Sequence, residues 1–272
     1  MLINKKYQHL EQWLEGLPEE FERLGEVIYD KRNQLRVIEA PDGTLVNAKR
    51  YCVPHALNRV VYSLGIRQPK GLRAFLYPAR LLERGIDTPE PIAYIERRRC
   101  GLLGLSYFVS VQSPLKHTLY DLSHTTEGTY EEIAVAVGRF IAMMHDREVL
   151  HLDLSPGNIL WDKDNQGFHF AVVDINRMRF GKVDIKQGCA TLCRLWGPKR
   201  LTELVTRSYA QARNFDEEQA LHLTMQARTA YWTRYQRRHH PLEFPLEHEP
   251  HPTPNNNNAT AIRANSGLLS SA

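Results

Sequence analysis

The sequence lacks long apolar runs and carries little cysteine. No window of its 272 residues approaches the run of about 20 apolar residues that spans a bilayer. The opening segment MLINKKYQHLEQWLEGLPEE is rich in charge and has no apolar core of signal-peptide length. Four cysteines in a chain of this size do not suggest a disulfide framework and favour a reducing compartment. We therefore expect a cytoplasmic protein that is neither secreted nor membrane-spanning.

The chain also has no large excess of either charge. Its net charge is +4 and its isoelectric point is about 8.8, which suits an anionic substrate or a membrane surface without deciding between them. The fractions of hydrophobic and charged residues, 42% and 24%, are those of an ordinary soluble globular protein. A chain of this length can bury the core of one large domain or of two lobes.

The first part of the chain, about residues 1–112, is rich in predicted strands. Residues 25–53 form two strand-like runs separated by Asp42-Gly43, a hairpin signal. IDTPEPIAYIERR and GLSYFVSVQSP predict further strands. KGLRAFLYPARLLERG has apolar residues at helical spacing, and Pro78 inside it predicts either a kink or a later start. Together these segments predict a small β-rich lobe with one helix.

The second part, about residues 113–246, is predicted to be mostly helical. The segment TYEEIAVAVGRFIAMMHDREV is amphipathic, with Thr129 as a candidate cap. Its apolar face consists of Ile133, Val137, Phe140, Ile141 and Met144. FHFAVVD predicts a buried strand that ends in an acid, and DEEQALHLTMQARTAYWTRYQRRHH predicts a late helix. Residues 247–272 have few large apolar side chains, which predicts a disordered tail.

A polar turn interrupts apolar sequence in LHLDLSPGNILWD, residues 150–162. His151-x-Asp153-x-x-x-x-Asn158 precedes an apolar triplet, a later apolar strand ends in Asp174, and Lys49 lies upstream on a strand. Taken singly, the aspartates and the asparagine are explained as caps and the lysine as a solvated strand residue. Their joint order is that of the parts that transfer a phosphoryl group from ATP. We therefore predict a two-lobe, protein-kinase-like α+β fold with the site between the lobes.

The chemistry of phosphoryl transfer gives each of these residues a predicted role. Asp153 would accept the proton of the substrate hydroxyl. Asn158 and Asp174 would bind Mg²⁺ through oxygen, which this cation prefers. Lys49 would place its charge on the ATP phosphates. His151 is expected to hold the loop by hydrogen bonds.

Four segments resemble the bacterial lipopolysaccharide kinase family, the Kdo and heptose kinases of the outer-membrane core. They are HLDLSPGNILW, VVDINRMRF, NAKRYCVPHALNRVVYSLG and LLERGIDTPEPIAYIE. The resemblance implies ATP and Mg²⁺ as cofactors and assigns Lys49 to the ATP phosphates, Asp153 to catalysis, and Asn158 and Asp174 to the metal. It also implies a lipid-linked sugar acceptor, Kdo-lipid A or core oligosaccharide, with Kdo as the first candidate, and a peripheral contact with the inner membrane.

Three of the departures from the kinase pattern bear on the predicted function. Ser155 stands where protein kinases commonly have a lysine, which points away from protein substrates. No glycine-rich loop is present, so other backbone, or Lys31 and Arg32, must cover the phosphates. Leu76 aligns with the helix glutamate that should pair with Lys49. Glu83, two turns later, and Glu96, on the next strand, are the alternative partners. A protein Ser/Thr/Tyr kinase and a catalytically weak pseudokinase binding module therefore stay open as alternatives.

Two basic segments have more than one interpretation. Arg177 and Arg179 would hold an anionic acceptor group, a sugar carboxylate or a lipid A phosphate, or else pair with acids of their own lobe. RTAYWTRYQRRHH would touch anionic headgroups or form a plain solvated helix. The basic run RYQRRHH by itself would also suit nucleic acid, but no other feature of the sequence supports such a partner, and we expect none.

Overall fold

The first part of the molecule is a six-stranded antiparallel sheet with helices packed on it. The structure is a computed structural model that describes residues 1–124 and 128–237. In chain order the elements of this part are β1 (Leu2–Ile3), α1 (Glu11–Glu20), β2 (Glu26–Asp30), β3 (Gln34–Glu39), β4 (Leu45–Tyr51), α2 (Ala56–Ser63), α3 (Lys70–Leu82), β5 (Pro91–Arg99) and β6 (Leu102–Val111). The order across the sheet is β1-β5-β6-β4-β3-β2.

Strand β4 lies inside this sheet, with one face on the core and the other face turned away from it. It pairs with β3 and with β6, so that Lys49 stands opposite Leu35 and Phe108. Val46 and Ala48 are fully buried in the core that α1 covers with Leu14 and Leu17. Because neighbouring residues of a strand point to opposite faces, Lys49 points away from this core.

The predicted strands are confirmed, and the prediction of one helix is wrong. The turn at Asp42-Gly43 joins β3 to β4, with Gly43 at a φ of 81°. A second turn divides the first predicted run into β2 and β3. Helices α1 and α2 were missed. In α1 the signal was present, because Leu10, Leu14, Leu17 and Phe21 recur at helical spacing and are buried.

Helix α3 begins at Lys70, so the later start predicted from Pro78 is wrong. Pro78 lies inside the helix and is buried with Gly71, Ala74 and Leu81. Proline removes one backbone hydrogen bond from a helix interior. We infer that packing of this buried face offsets that loss.

The second part of the molecule is mainly helical. Its elements are β7 (His117–Thr118), α4 (Glu131–Asp146), β8 (Val149–His151), β9 (Ile159–Asp164), β10 (Gly167–Val172), β11 (Met178–Phe180), α5 (Ile185–Leu192), α6 (Lys199–Ala212) and α7 (Glu217–Gln236). The predicted apolar face of α4 is buried throughout. Gly138 lets α6 approach α4, since a Cβ atom there would lie 2.5 Å from the carbonyl oxygen of Val205. The helices predicted for α4 and α7 are confirmed.

Thr129 is not the cap of α4, contrary to the prediction. Tyr130 holds the N-cap position, and the carboxylate of Glu131 accepts the backbone N–H groups of Gly128 and Tyr130 at 2.8 and 3.1 Å. Among the described residues, no helix is long and apolar enough to cross a membrane. The tail predicted for residues 247–272 lies outside the described residues, and the lobe boundaries near residue 112 stay a prediction.

Candidate active site

The predicted catalytic loop is held by a buried histidine. His151, on β8, is fully buried, and its Nδ1 accepts the backbone N–H of Asp153 at 3.1 Å. Because Nδ1 is an acceptor, the hydrogen-bond network assigns the ring proton to Nε2, which donates to the carbonyl of Val173 at 3.1 Å. Burial lowers the pKa of His151 and keeps the ring neutral. His151 thus ties the loop to the segment that precedes Asp174.

Asn158 closes the same loop. Its side-chain Nδ2 donates to the carbonyl of Asp153 at 2.7 Å, which also accepts the N–H of Ser155 at 2.8 Å. The backbone N–H of Val173 donates to the carbonyl of Asn158 at 3.0 Å. Asn158 and Asp174 therefore lie on neighbouring backbone segments, although 16 positions separate them in the sequence.

Asp174 stands two residues beyond the end of β10, in the left-handed backbone region with φ 52° and ψ 39°. Its Oδ1 accepts Lys49 Nζ and Asn176 Nδ2, each at 2.6 Å. Burial by itself raises the pKa of Asp174, but the charge and hydrogen bond of Lys49 outweigh it, and the pKa lies below its ordinary value. The carboxylate is therefore ionised at neutral pH.

Lys49 finds its carboxylate partner in Asp174, beyond the end of β10, and not on helix α3. Leu76 is 39% exposed, whereas α3 turns Gly71 and Ala74 inward. Glu96 accepts hydrogen bonds from Tyr94 and Arg98. The uncharged side chain of Leu76 therefore does not leave Lys49 unpaired, because Asp174 is its partner.

Asp153 is the centre of a charge cluster that the sequence only partly indicated. Arg177 Nη1 donates to its Oδ2 at 3.1 Å, and Arg194 Nη1 donates to its Oδ1 at 2.6 Å. Arg179 lies apart, bonded to Gln187 Oε1 at 2.7 Å and to a backbone carbonyl. Sequence reasoning missed Arg194, because no local pattern marks a residue 41 positions away as a partner.

A cavity of about 90 Å³ lies between the β2–β3 hairpin and the start of α3. Arg32, from the tip of the β2–β3 hairpin, lines it together with Tyr51 and Lys70, the first residue of α3. Burial, followed by the charge of Arg32, lowers the pKa of Lys70, while the charge of Asp174 raises it. Lys70 is a second residue that sequence reasoning missed.

Comparison with known proteins agrees with this geometry. The sequence model of the Lipopolysaccharide kinase (Kdo/WaaP) family matches residues 29–195. Two 3-deoxy-D-manno-octulosonic acid kinases of Haemophilus influenzae, from strains Rd and PittEE, are each 31% identical to the chain over 100 residues. These alignments cover 36% of this chain and 41% of each relative, so the chain spans under half the length of the curated relatives it matches.

A solved structure of WaaP in complex with acyl carrier protein shares the fold. The TM-score is 0.54 at 18% identity, and the superposition covers 87% of this chain and 98% of WaaP. At that identity the likeness concerns the fold alone, and it confirms the predicted α+β, kinase-like architecture. The family match includes Lys49, the loop from His151 to Asn158, and Asp174. The chain belongs to the lipopolysaccharide kinase (Kdo/WaaP) family.

Proposed function

We propose that the protein is a kinase that transfers the γ-phosphoryl group of ATP to a sugar hydroxyl of the lipopolysaccharide inner core, with Kdo as the acceptor. One observation carries the proposal. Lys49 and Asp174 meet at 2.6 Å although 125 positions separate them, beside a loop that holds Asp153 and Asn158 together. Family membership and the Kdo kinases among the relatives support the choice of acceptor.

The four residues have complementary tasks in this proposal. Asp153 orients the acceptor hydroxyl and takes its proton. Lys49 contacts the ATP phosphates. Asn158 and Asp174 supply an amide and a carboxylate oxygen, a donor set that fits Mg²⁺, and the hydrogen bond that joins their backbone segments supports this pairing. When bound, Mg²⁺ would neutralise phosphate charge. The residues of this chain contribute mainly position and electrostatic stabilisation.

The alternatives receive less support. Ser155 donates its backbone N–H into the tight turn and offers no cation for the γ-phosphate, unlike the lysine common in protein kinases. The pseudokinase hypothesis depended on an unpaired Lys49, and Lys49 is paired.

We predict that the protein transfers labelled γ-phosphate from ATP to Kdo-lipid A, and does so only with Mg²⁺. Lipid A without Kdo and a generic protein substrate are the control acceptors, and both should remain unlabelled. Labelled protein would support the protein-kinase alternative. Mg-ATP binding with no labelled lipid would point to another acceptor, whereas the absence of nucleotide binding would favour the binding module.

We also propose a cytoplasmic location with peripheral membrane contact, through α2 and not through α7. In α7, Trp232 and Arg228 are buried. The apolar side chains of Leu57, Leu64 and Ile66 are instead 79%, 70% and 72% exposed. The β5–β6 hairpin adds exposed Arg98 beside them, and its Nη1 donates to the Ser63 carbonyl at 3.4 Å. Apolar side chains flanked by an arginine suit an anionic lipid surface.

The double substitution Leu57→Glu, Leu64→Glu is expected to reduce cosedimentation with anionic vesicles at least about tenfold. It removes apolar area that would be buried in the lipid, and it adds negative charge that anionic lipids repel. Leu45→Glu, which alters an exposed leucine at the far end of β4, is the matched control and should bind as the wild type does. Equal vesicle binding by the double variant and the wild type would show that α2 does not contact the lipid. Binding of an acidic protein in place of vesicles would assign the patch to a protein partner.

A further inference from the structure

We propose that Arg177 is the binding site for an acidic group of the acceptor and leaves Asp153 for this group when the acceptor binds, while Arg194 stays on Asp153. The proposal rests on the proposed function and adds to it a requirement on the acceptor. The hydroxyl that receives the phosphoryl group must lie close to a carboxylate or a phosphate.

The two arginines occupy both oxygens of Asp153. Arg194 contacts Oδ1 at 2.6 Å and Arg177 contacts Oδ2 at 3.1 Å. Both carboxylate oxygens therefore already accept a hydrogen bond from a cation, and Arg177 stands where an acceptor hydroxyl would approach Oδ2. Departure of Arg177 would leave Oδ2 open to that hydroxyl.

The two arginines are not equivalent. The Arg194 side chain is 28% exposed, and its guanidinium carbon lies 5.2 Å from the centre of the Tyr231 ring on α7. A cation over an aromatic face is held by the ring as well as by the carboxylate. The Arg177 side chain is 50% exposed, while its backbone carbonyl is fixed by the N–H of Leu152 at 2.9 Å. Arg177 is therefore the arginine whose side chain can move without disturbing the loop.

An acidic acceptor group offers Arg177 an equivalent partner. The planar fork of a guanidinium pairs with carboxylate or phosphate through two hydrogen bonds. Exchange of one anion for another leaves the cation paired, so the release of Asp153 costs little. A neutral acceptor offers no such exchange and would have to break an ion pair.

Phosphoryl transfer to the acceptor hydroxyl follows this exchange of partners by Arg177. The hydroxyl proton passes to Asp153, the acceptor oxygen forms a bond to the γ-phosphorus, and the bond from that phosphorus to the leaving oxygen of ADP breaks. Arg194 stays on Asp153 and keeps it oriented. The acid requirement thus becomes a requirement for turnover as well as for binding.

The decisive experiment compares acceptors with and without the acidic group in the wild type and in Arg177→Ala. For Kdo-lipid A, Arg177→Ala should raise the acceptor KM by about 10- to 100-fold, the loss expected for a charge-assisted hydrogen bond, with the ATP KM unchanged. For an acceptor whose Kdo carboxylate is reduced to an alcohol, phosphoryl transfer by the wild type should be slow. Arg177→Ala should transfer phosphate to this acceptor at about the same rate as the wild type. The preference for the acid should therefore nearly vanish in the variant.

Further acceptors and variants identify the source of the anion and the role of each arginine. If the anion is a lipid A phosphate, dephosphorylated lipid A carrying Kdo will show the loss and the reduced Kdo will not. Arg194→Ala should lower kcat more than it raises the acceptor KM. Arg139→Ala, which alters an exposed arginine on α4, is the control and should behave as the wild type.

Binding of free Kdo to the protein loaded with a non-hydrolysable ATP analogue, measured by calorimetry, separates this proposal from the proposed function. Weaker binding in Arg177→Ala supports the anion site even if no transfer is observed. Transfer by the wild type with equal KM changes for acidic and reduced acceptors would overturn the anion site and leave the kinase. If the wild type neither transfers phosphate nor binds Kdo, the anion site and the proposed kinase function are both overturned.

Discussion

Asp153→Asn should slow phosphoryl transfer by about 10²- to 10⁴-fold, the range for loss of a general base. Asparagine has nearly the same shape as aspartate, but its side chain does not take up the acceptor proton. The loop should keep its form, because the contacts that Asp153 makes with His151, Ser155 and Asn158 use its backbone N–H and carbonyl. Mg-ATP affinity should therefore change little. The measurements are single-turnover transfer rates and nucleotide titrations.

Asp164→Asn is the matched control for Asp153→Asn. It makes the same substitution at an exposed carboxylate that ends β9 and pairs with His169 at 2.9 Å. This variant should transfer phosphate at the wild-type rate. If Asp153→Asn retained full activity with a normal thermal unfolding curve, the proton acceptor would have to be another residue.

Asp174→Asn should also reduce transfer strongly, by about 10²- to 10³-fold, because it removes preorganised charge from the site of reaction. The variant removes the carboxylate partner of Lys49 and a predicted Mg²⁺ ligand together. Asparagine tolerates the left-handed backbone conformation of this position, so the chain should still fold. Unlike Asp153→Asn, this variant should bind Mg-ATP more weakly and need more Mg²⁺ for half-maximal rate.

The Mg²⁺ dependence of nucleotide binding distinguishes the two roles. A fluorescent ATP analogue, titrated with and without Mg²⁺, should show a large Mg²⁺ effect for the wild type and for Asp153→Asn, and a small one for Asp174→Asn. Asp162→Asn, a substitution on β9 away from the loop, is the control. An unchanged Mg²⁺ effect in Asp174→Asn would remove this residue from the metal site.

Local sequence was sufficient for the elements whose pattern repeats within one turn or one hairpin. The apolar spacing of α4, the Asp42-Gly43 turn and the order of the loop residues are all properties of short segments. Helix α1 carries the same kind of local pattern, with Leu14 and Leu17 at helical spacing and buried. The family resemblance, drawn from four segments, was confirmed for the same reason.

Tertiary packing alone brought the charges together. Lys49 meets Asp174 across 125 positions, and Arg194 meets Asp153 across 41. Packing also leaves residues exposed. The exposure of Leu76, for example, depends on which face α3 turns to the sheet. Side-chain spacing along one element predicts which residues share a face. It carries no information about which distant segment packs there, and the energy of a charge depends on that partner and on its burial. The pairing of Asp153 with Arg177 and Arg194 is therefore visible only in the folded chain.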